Sequence, residues 1–175
     1  VVYNSGPTSN IAVAFDPNTA GKFLIIFKDN NNSNYGTAIV GAVSGSSLSF
    51  GAKSVFASVF MSDGAVSFAP NTAGKLAISY RNNNTDKGEA VVGTVSGTSV
   101  TFGSIYEFNA SAVDKTKIKF DLNDDNKIVI VYVDVSYSNV GVVNIGTISG
   151  TTISFNSKQT YNSGSTTYPN ISFDP

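Results

Sequence analysis

The sequence contains no cysteine, no histidine and no tryptophan, and Arg81 is its single arginine. Without cysteine, neither a disulfide nor a thiolate metal site holds the fold. Without histidine, Ser-His and Cys-His nucleophilic pairs, HExxH zinc sites and imidazole acid-base chemistry all fall away. Charged residues make up 13% of the chain and the formal net charge is -1. Binding nucleic acid by phosphate neutralisation needs clustered cations, and the lysines here are scattered, so no nucleic-acid partner is expected. The longest apolar run, Ile128 to Val133, is far short of the ~20 residues of a membrane-spanning helix, so no membrane insertion is expected. No segment shows sustained helical spacing either.

What the sequence does contain is a repeat. Gly36 to Gly51 returns as Gly88 to Gly103, and a third time, with more changes, as Gly141 to Phe155. An aromatic marks the end of each copy: Tyr3, Phe56, Phe108 and Tyr161 follow one another at intervals of 53, 52 and 53 positions. Such regularity means one unit was copied, and the copies must pack on one another because none can bury its own apolar faces. The expected divisions are 1–3 as the end of a preceding unit, 4–56 as repeat 1, 57–108 as repeat 2, 109–161 as repeat 3, and 162–175 as the first strand of a fourth.

Each repeat opens with a polar loop such as Asn4-Ser5-Gly6-Pro7, followed by a short alternating strand. There Val13 and Phe15, Val66 and Phe68, Ile118 and Phe120, and Ile171 and Phe173 share one face, and mostly small residues lie between them. Lys117 and Lys119 break that rule, which predicts water along their side of the strand. A connector beginning Asp16-Pro17-Asn18 leads to the most apolar strand, Phe23 to Phe27, with counterparts Leu76 to Tyr80 and Ile128 to Val133. Runs apolar on both sides of the pleat predict a strand covered on both faces. After an Asn-rich loop come two more strands, Thr37 to Val43 and Leu48 to Phe56 in repeat 1, joined by a tight hairpin at Ser44-Gly45-Ser46.

Four short antiparallel strands per unit of about fifty residues, the middle one covered twice, predict an all-β chain of β-propeller blades, each blade a four-stranded meander. A β-solenoid shares the repeat but would align strands along an axis, and four strands per repeat favour the propeller. Propellers take ~4 to 8 blades. Three full repeats with partial ones at both ends therefore predict that further repeats, or other copies of the chain, complete the ring.

In a meander, alternate connections lie at opposite ends of the sheet, so the Asn-rich loops and the inter-repeat loops share one rim. The copies differ most on that rim. Asn32, Asn34 and Tyr35, Asn84 and Lys87, and Tyr137 and Asn139 are the candidate ligand-binding residues, since amides can hydrogen-bond hydroxyl groups and tyrosine rings can stack on sugar faces. The competing reading is that Asn and Ser simply make good turns. Asp29 and Asp134 hold equivalent places, but Asn82 replaces them in repeat 2, and a glycosidase pair must converge within ~5 to 10 Å; no catalytic residue is assigned. Asp121, Asn123 and Asp125 alternate oxygens as calcium loops do, yet they lack a closing glutamate and are private to one repeat, so no metal or other cofactor is expected.

The stretches Asn32-Ser33-Asn34-Tyr35-Gly36-Thr37-Ala38-Ile39-Val40-Gly41 and Val92 to Gly103 resemble repeats of large proteins of marine bacteriophages and bacteria, often tail-fibre or surface-adhesion proteins. The resemblance covers nearly the whole chain and carries no catalytic motif. It implies an extracellular location, on a virion or cell surface, and a non-enzymatic recognition module that binds host glycans or another surface receptor. A purely structural spacer is the alternative.

Overall fold

The computed structural model describes residues 1–174. It is an all-β structure of antiparallel strands, with one 3-10 turn at Val135–Tyr137 and no α-helix among the described residues. The strands are β1 (Thr8–Phe15), β2 (Lys22–Asp29), β3 (Tyr35–Ser44), β4 (Ser47–Phe68), β5 (Lys75–Asn82), β6 (Gly88–Ser96), β7 (Ser99–Asn109), β8 (Val113–Asp121), β9 (Asp124–Asp134), β10 (Val140–Ser149), β11 (Thr152–Phe155) and β12 (Gln159–Ser165). Strands β1 to β7 follow chain order in one sheet, and β8 to β11 do so in a second, where β12 also pairs with β10.

Within each repeat the pairing is a meander. In repeat 1, β1 pairs with β2, β2 with β3 and β3 with the first part of β4; repeats 2 and 3 follow the same plan. The three hairpin glycines, Gly45, Gly97 and Gly150, sit at φ 58°, 60° and 60°, a backbone region open to glycine at no steric cost.

Two departures from expectation concern boundaries. The division expected after Phe56 falls inside β4, which pairs with β3 through Phe60 and with β5 from Met61 onward. Ala57-Ser58-Val59-Phe60 has neither glycine nor proline to break the strand, whereas repeat 1 opens on Gly6 and Pro7. The segment 162–175, expected as the first strand of a fourth repeat, is divided: 162–165 end β12, which pairs with β10 of repeat 3, and residues 166–174 are not in a strand. The first strand of every repeat is held by its second, and no second strand follows here among the described residues. Ile171 and Phe173 are nonetheless half-buried and line cavities beside β1, β4 and β8. Pro175, the last residue of the expected fourth segment, lies outside the described residues.

The repeats stack face to face through two apolar cores, one joining repeats 1 and 2 and the other joining repeats 2 and 3. Each repeat turns a bulky face backward, as Val66, Phe68, Leu76, Ile78 and Tyr80 do toward repeat 1. Repeat 2 turns a smaller face forward, as Ala65, Ala77, Ala90 and Val92 do toward repeat 3. Large against small lets the layers interdigitate at the density of a protein interior.

An aromatic hand-over pins each junction. Phe56, at the end of repeat 1, packs on Tyr80 and Phe102 of repeat 2 with ring centroids 5.6 and 5.7 Å apart. Phe108 does the same with Tyr132 and Phe155 at 5.1 and 6.1 Å, and Tyr3 with Phe27 and Phe50 at 5.3 and 6.2 Å. The ring reaches its slot across a glycine: a Cβ on Gly36 would stand 2.7 Å from Phe56, and one on Gly88 2.3 Å from Phe108. The equivalence of Tyr3, Phe56 and Phe108 expected from spacing is thus an equivalence of packing.

The middle strand of repeat 1 is shielded differently on its two sides. Leu24 and Ile26 are buried against repeat 2, while Phe23 is covered by Phe15 and Phe50 of its own repeat and Phe27 by Tyr3 of the segment before it.

Candidate functional site

The three Asn-rich loops share their entry and exit hydrogen bonds, and that of repeat 2 is one residue shorter: Asp29 pairs with Tyr35 and Asp134 with Val140, whereas Asn82 pairs with Lys87. Each begins with a side-chain carbonyl or carboxylate oxygen that accepts the amide two residues on: Asp29 from Asn31 at 3.3 Å, Asn82 from Asn84 at 3.0 Å and Asp134 from Ser136 at 3.2 Å. The next amide donates back to the segment entering the same repeat, Asn30 to Pro7, Asn83 to Phe60 and Val135 to Ala112. Each loop then passes through a left-handed residue, Asn34, Asp86 or Asn139, at φ 62°, 63° and 62°. Asn and Asp tolerate that conformation better than other side chains. The carbonyls of these three residues accept the amides of Met61, Val113 and Thr166 at 3.1, 3.0 and 2.8 Å, tying each loop to the following repeat.

This frame sorts the candidate binding residues. Asn32 and Tyr137 hold equivalent tip positions, Asn84 stands one residue earlier, where the other loops have Asn31 and Ser136, and all three are exposed. Asn34 and Asn139 are the left-handed anchors, so their main-chain role is structural. Tyr35 and Lys87 stand at the loop exit, half-buried, and the Lys87 ammonium donates to Glu107 at 2.7 Å. The tips belong to successive repeats, and the structure does not gather them into one pocket. Tyr137 lines a 280 Å³ cleft with Asp134, Val140, Lys158, Thr160 and Ser163, and Asn139 lines a separate one of 280 Å³ with Asp114, Lys115 and residues 165–168.

Beneath the loops, Asp29 and Asp134 meet lysines that the sequence reading did not single out. Asp29, 2% exposed, receives the Lys53 ammonium at 2.9 Å, and the same ammonium donates to Asn4 at 3.1 Å. Asp134, 1% exposed, receives Lys158 at 2.7 Å, and Lys158 also donates to Asn109 at 3.0 Å. Asp29 and Asp134 therefore act as turn-formers and ion-pair partners, held in separate repeats. The findable signal was the lysine 24 positions after each aspartate. The Lys158 ammonium also lies 5.4 Å from the centre of the Tyr137 ring, within cation-π range.

A second charged group bridges repeats 2 and 3 on this rim. Lys115 lies 3.5 Å from Asp63 and 3.4 Å from Asp114, and Arg81 reaches Asp86 at 2.5 Å and Asp114 at 3.9 Å. Burial, reinforced by a hydrogen bond and charge repulsion with Asp114, pushes the Asp63 carboxyl above the usual range. Burial also acts to raise Asp114, but its hydrogen bond with Asp63 and the nearby Lys115 outweigh it and hold it low. Neighbouring carboxylates push one another's proton affinities apart, and the Lys115 and Arg81 cations beside them offset the crowded negative charge. Asp63 and Lys115 themselves sit at φ 50° and 54° in matching bulges of the first strands.

At the opposite end of the strands the structure opens a 440 Å³ cavity lined by Phe15, Pro17, Phe68, Pro70, Phe120, Leu122 and Phe173, with Lys119 as its cation. Of the two lysines expected to face water on this side of β8, Lys119 is exposed there and Lys117 is half-buried. The acidic connector resolves into hydrogen bonds. Asp121 accepts the amide of Asn123, and Asp125 accepts from Asn71 and from the Thr72 hydroxyl of repeat 2. Among the described residues no group of three acidic side chains could hold a metal ion.

No protein-family model matches the chain, and no curated protein matches it significantly.

Proposed function

We propose that the chain is a run of β-propeller blades serving as a non-enzymatic recognition module, of the kind carried by tail fibres and cell-surface proteins outside the cell. It binds host glycan or another surface receptor through the tips of the Asn-rich loops. The observation that carries this reading is the shared loop frame: three loops with the same entry and exit main-chain hydrogen bonds present different side chains near their tips, Asn32, Asn84 and Tyr137, to solvent. A fixed frame with variable tips is how a rigid scaffold displays a recognition surface. The propeller reading is supported by the meander of each repeat, by the two stacked cores and by first strands that lie side by side along common cavities.

Tyr137 is the strongest single candidate, because its ring is 66% exposed beside a cleft that offers hydroxyls from Thr160 and Ser163. Ring stacking plus hydroxyl hydrogen bonds is the chemistry a sugar requires. The test is a glycan array with the wild-type chain and Tyr137→Ala. Binding that falls at least tenfold in the variant, with thermal unfolding unchanged, supports the reading; absence of binding at millimolar sugar removes it.

A purely structural spacer is favoured by one observation, the use of Asn34, Asp86 and Asn139 carbonyls to tie each loop to the next repeat. If the tips bind nothing on the array and are covered by neighbouring subunits in the assembled particle, this second reading stands.

A further inference from the structure

We propose that the sugar taken by the Tyr137 cleft carries an anionic group, a carboxylate or a sulfate, and that Lys158 is the residue that selects it. The inference rests on the glycan reading and deepens it by naming the charge of the ligand.

The charged residues of the cleft are one ion pair, and the pair has a direction. The Asp134 side chain is 1% exposed, whereas that of Lys158 is 38% exposed. In sum the pair is neutral. A ligand in the cleft nevertheless meets the ammonium before the buried carboxylate, and the nearer charge dominates. An ammonium carries three N–H donors. Asp134 and Asn109 accept two of them, at 2.7 and 3.0 Å, and no described residue accepts the third. An anionic oxygen on a bound sugar would take it as a hydrogen bond charged on both sides, stronger than the same bond to a hydroxyl. Tyr137, its ring centre 5.4 Å from the ammonium, and the hydroxyls of Thr160 and Ser163 supply the stacking surface and the neutral hydrogen bonds beside it.

Equivalent places in the other repeats are built differently. Repeat 1 has the ion pair, as Lys53 and Asp29. There Asn32 stands for Tyr137 and Val55 for Thr160, so the exposed ring and one of the two hydroxyls are missing. Repeat 2 reverses the charge. Ile105 takes the place of the lysine, and Glu89 and Glu107 stand where repeat 3 pairs Val142 with Thr160. The Glu107 side chain is 47% exposed and already bridged by Lys87 at 2.7 Å, an arrangement that repels a second anion. Among the described residues, the exposed ring, both hydroxyls and the outward-facing cation come together in repeat 3.

Repeat 2 also supplies the variants for the test. Asn82 makes the turn that Asp134 makes, accepting the amide two residues on at 3.0 Å, so Asp134→Asn keeps the loop and leaves the ammonium without its counter-charge. The experiment compares matched sugars on the full chain: galactose, galacturonate and galactose 6-sulfate, and the same three forms of glucose. Each is titrated to about 20 mM at pH 7 by ligand-detected NMR, a range that covers millimolar dissociation constants. In at least one series an anionic member is expected to bind at least about fivefold tighter than the neutral one, and the tighter of uronate and sulfate identifies the group. Asp134→Asn should raise that ratio at least about threefold further. Asp134→Asn combined with Lys158→Ile should bring it to within about twofold of one; circular dichroism checks that each variant folds. Neutral members that bind as tightly as the anionic ones in both series, or a ratio that either variant leaves unchanged, overturn the inference and leave the glycan reading standing. If none of the six sugars binds, the inference falls, and the glycan array decides the glycan reading separately.

Discussion

Repeat 2 solves with apolar and amide groups a problem that repeats 1 and 3 solve with ions. At the turn before the Asn-rich loop, repeats 1 and 3 bury a carboxylate and supply an ammonium and an asparagine, as Asp29, Lys53 and Asn4, and as Asp134, Lys158 and Asn109. Repeat 2 has Asn82, Ile105 and Ala57 at the same three positions, and Asn82 donates its amide to Glu89 at 2.8 Å. All three residues change together. A buried carboxylate without a counter-charge is costly, and an ammonium without its carboxylate gains nothing at that place. The difference teaches that the set, rather than any member of it, is the unit of design.

The largest effect expected comes from the feature that repeats 1, 2 and 3 share. Phe108→Ala removes a buried ring from the junction of repeats 2 and 3, and denaturant unfolding should show a loss of about 3–5 kcal/mol. The same truncation at half-exposed Tyr161 should cost the chain under about 1 kcal/mol, and equal losses would mean the two sites are not packed as described.

Next comes the ionic set itself. Lys158→Ile strands Asp134 in the interior; because the lysine side chain is 38% exposed, the cost should be about 1–3 kcal/mol rather than the ~3–5 of a fully buried pair. Adding Asp134→Asn removes the stranded charge, as Asn82 avoids it in repeat 2, and the double variant should return to within about 1 kcal/mol of wild type. A double-mutant cycle measures this, and simple additivity would break the comparison.

A smaller effect is expected in acid. Burial alone would raise the Asp125 carboxyl, but hydrogen bonds from the Thr72 hydroxyl and the Asn71 amide hold it below the ordinary range. A carboxylate held low in the folded state contributes stability that is complete above its unfolded value, about pH 4, and lost as pH falls through the folded value. Asp125→Asn should therefore cost about 0.5–1 kcal/mol at pH 7 and flatten the stability profile below pH 4, as read by thermal unfolding across a pH series. The smallest change is expected from Tyr137→Ala, whose exposed ring should leave stability within about 0.5 kcal/mol of wild type whatever it does to binding.

Much of the fold was legible because copying exposes equivalence. Spacing placed Tyr3, Phe56 and Phe108 in register, and the apolar runs around Phe23, Leu76 and Ile128 marked the middle strands. Boundaries were harder. A single sequence shows where glycine and proline permit a break, but β4 crosses from one repeat to the next through residues that merely fail to interrupt it. The expected first strand at 166–174 has the right alternation and lacks a neighbour to pair with, and pairing is a property of the whole sheet. At the rim, residue type identified the loops, while the division between tips such as Asn84 and anchors such as Asn34 depends on backbone conformation. The lysine of the ionic set lies two strands away from its aspartate, beyond any local pattern.

The 22 residues of β4 have a mechanical consequence. Repeats 1 and 2 are welded by one strand that is laddered on both sides, whereas only residues 110–112 connect β7 to β8. Stretched by its two ends, the chain should shed repeat 3 at a lower force and then yield repeats 1 and 2 as a pair, giving two rupture events in place of three.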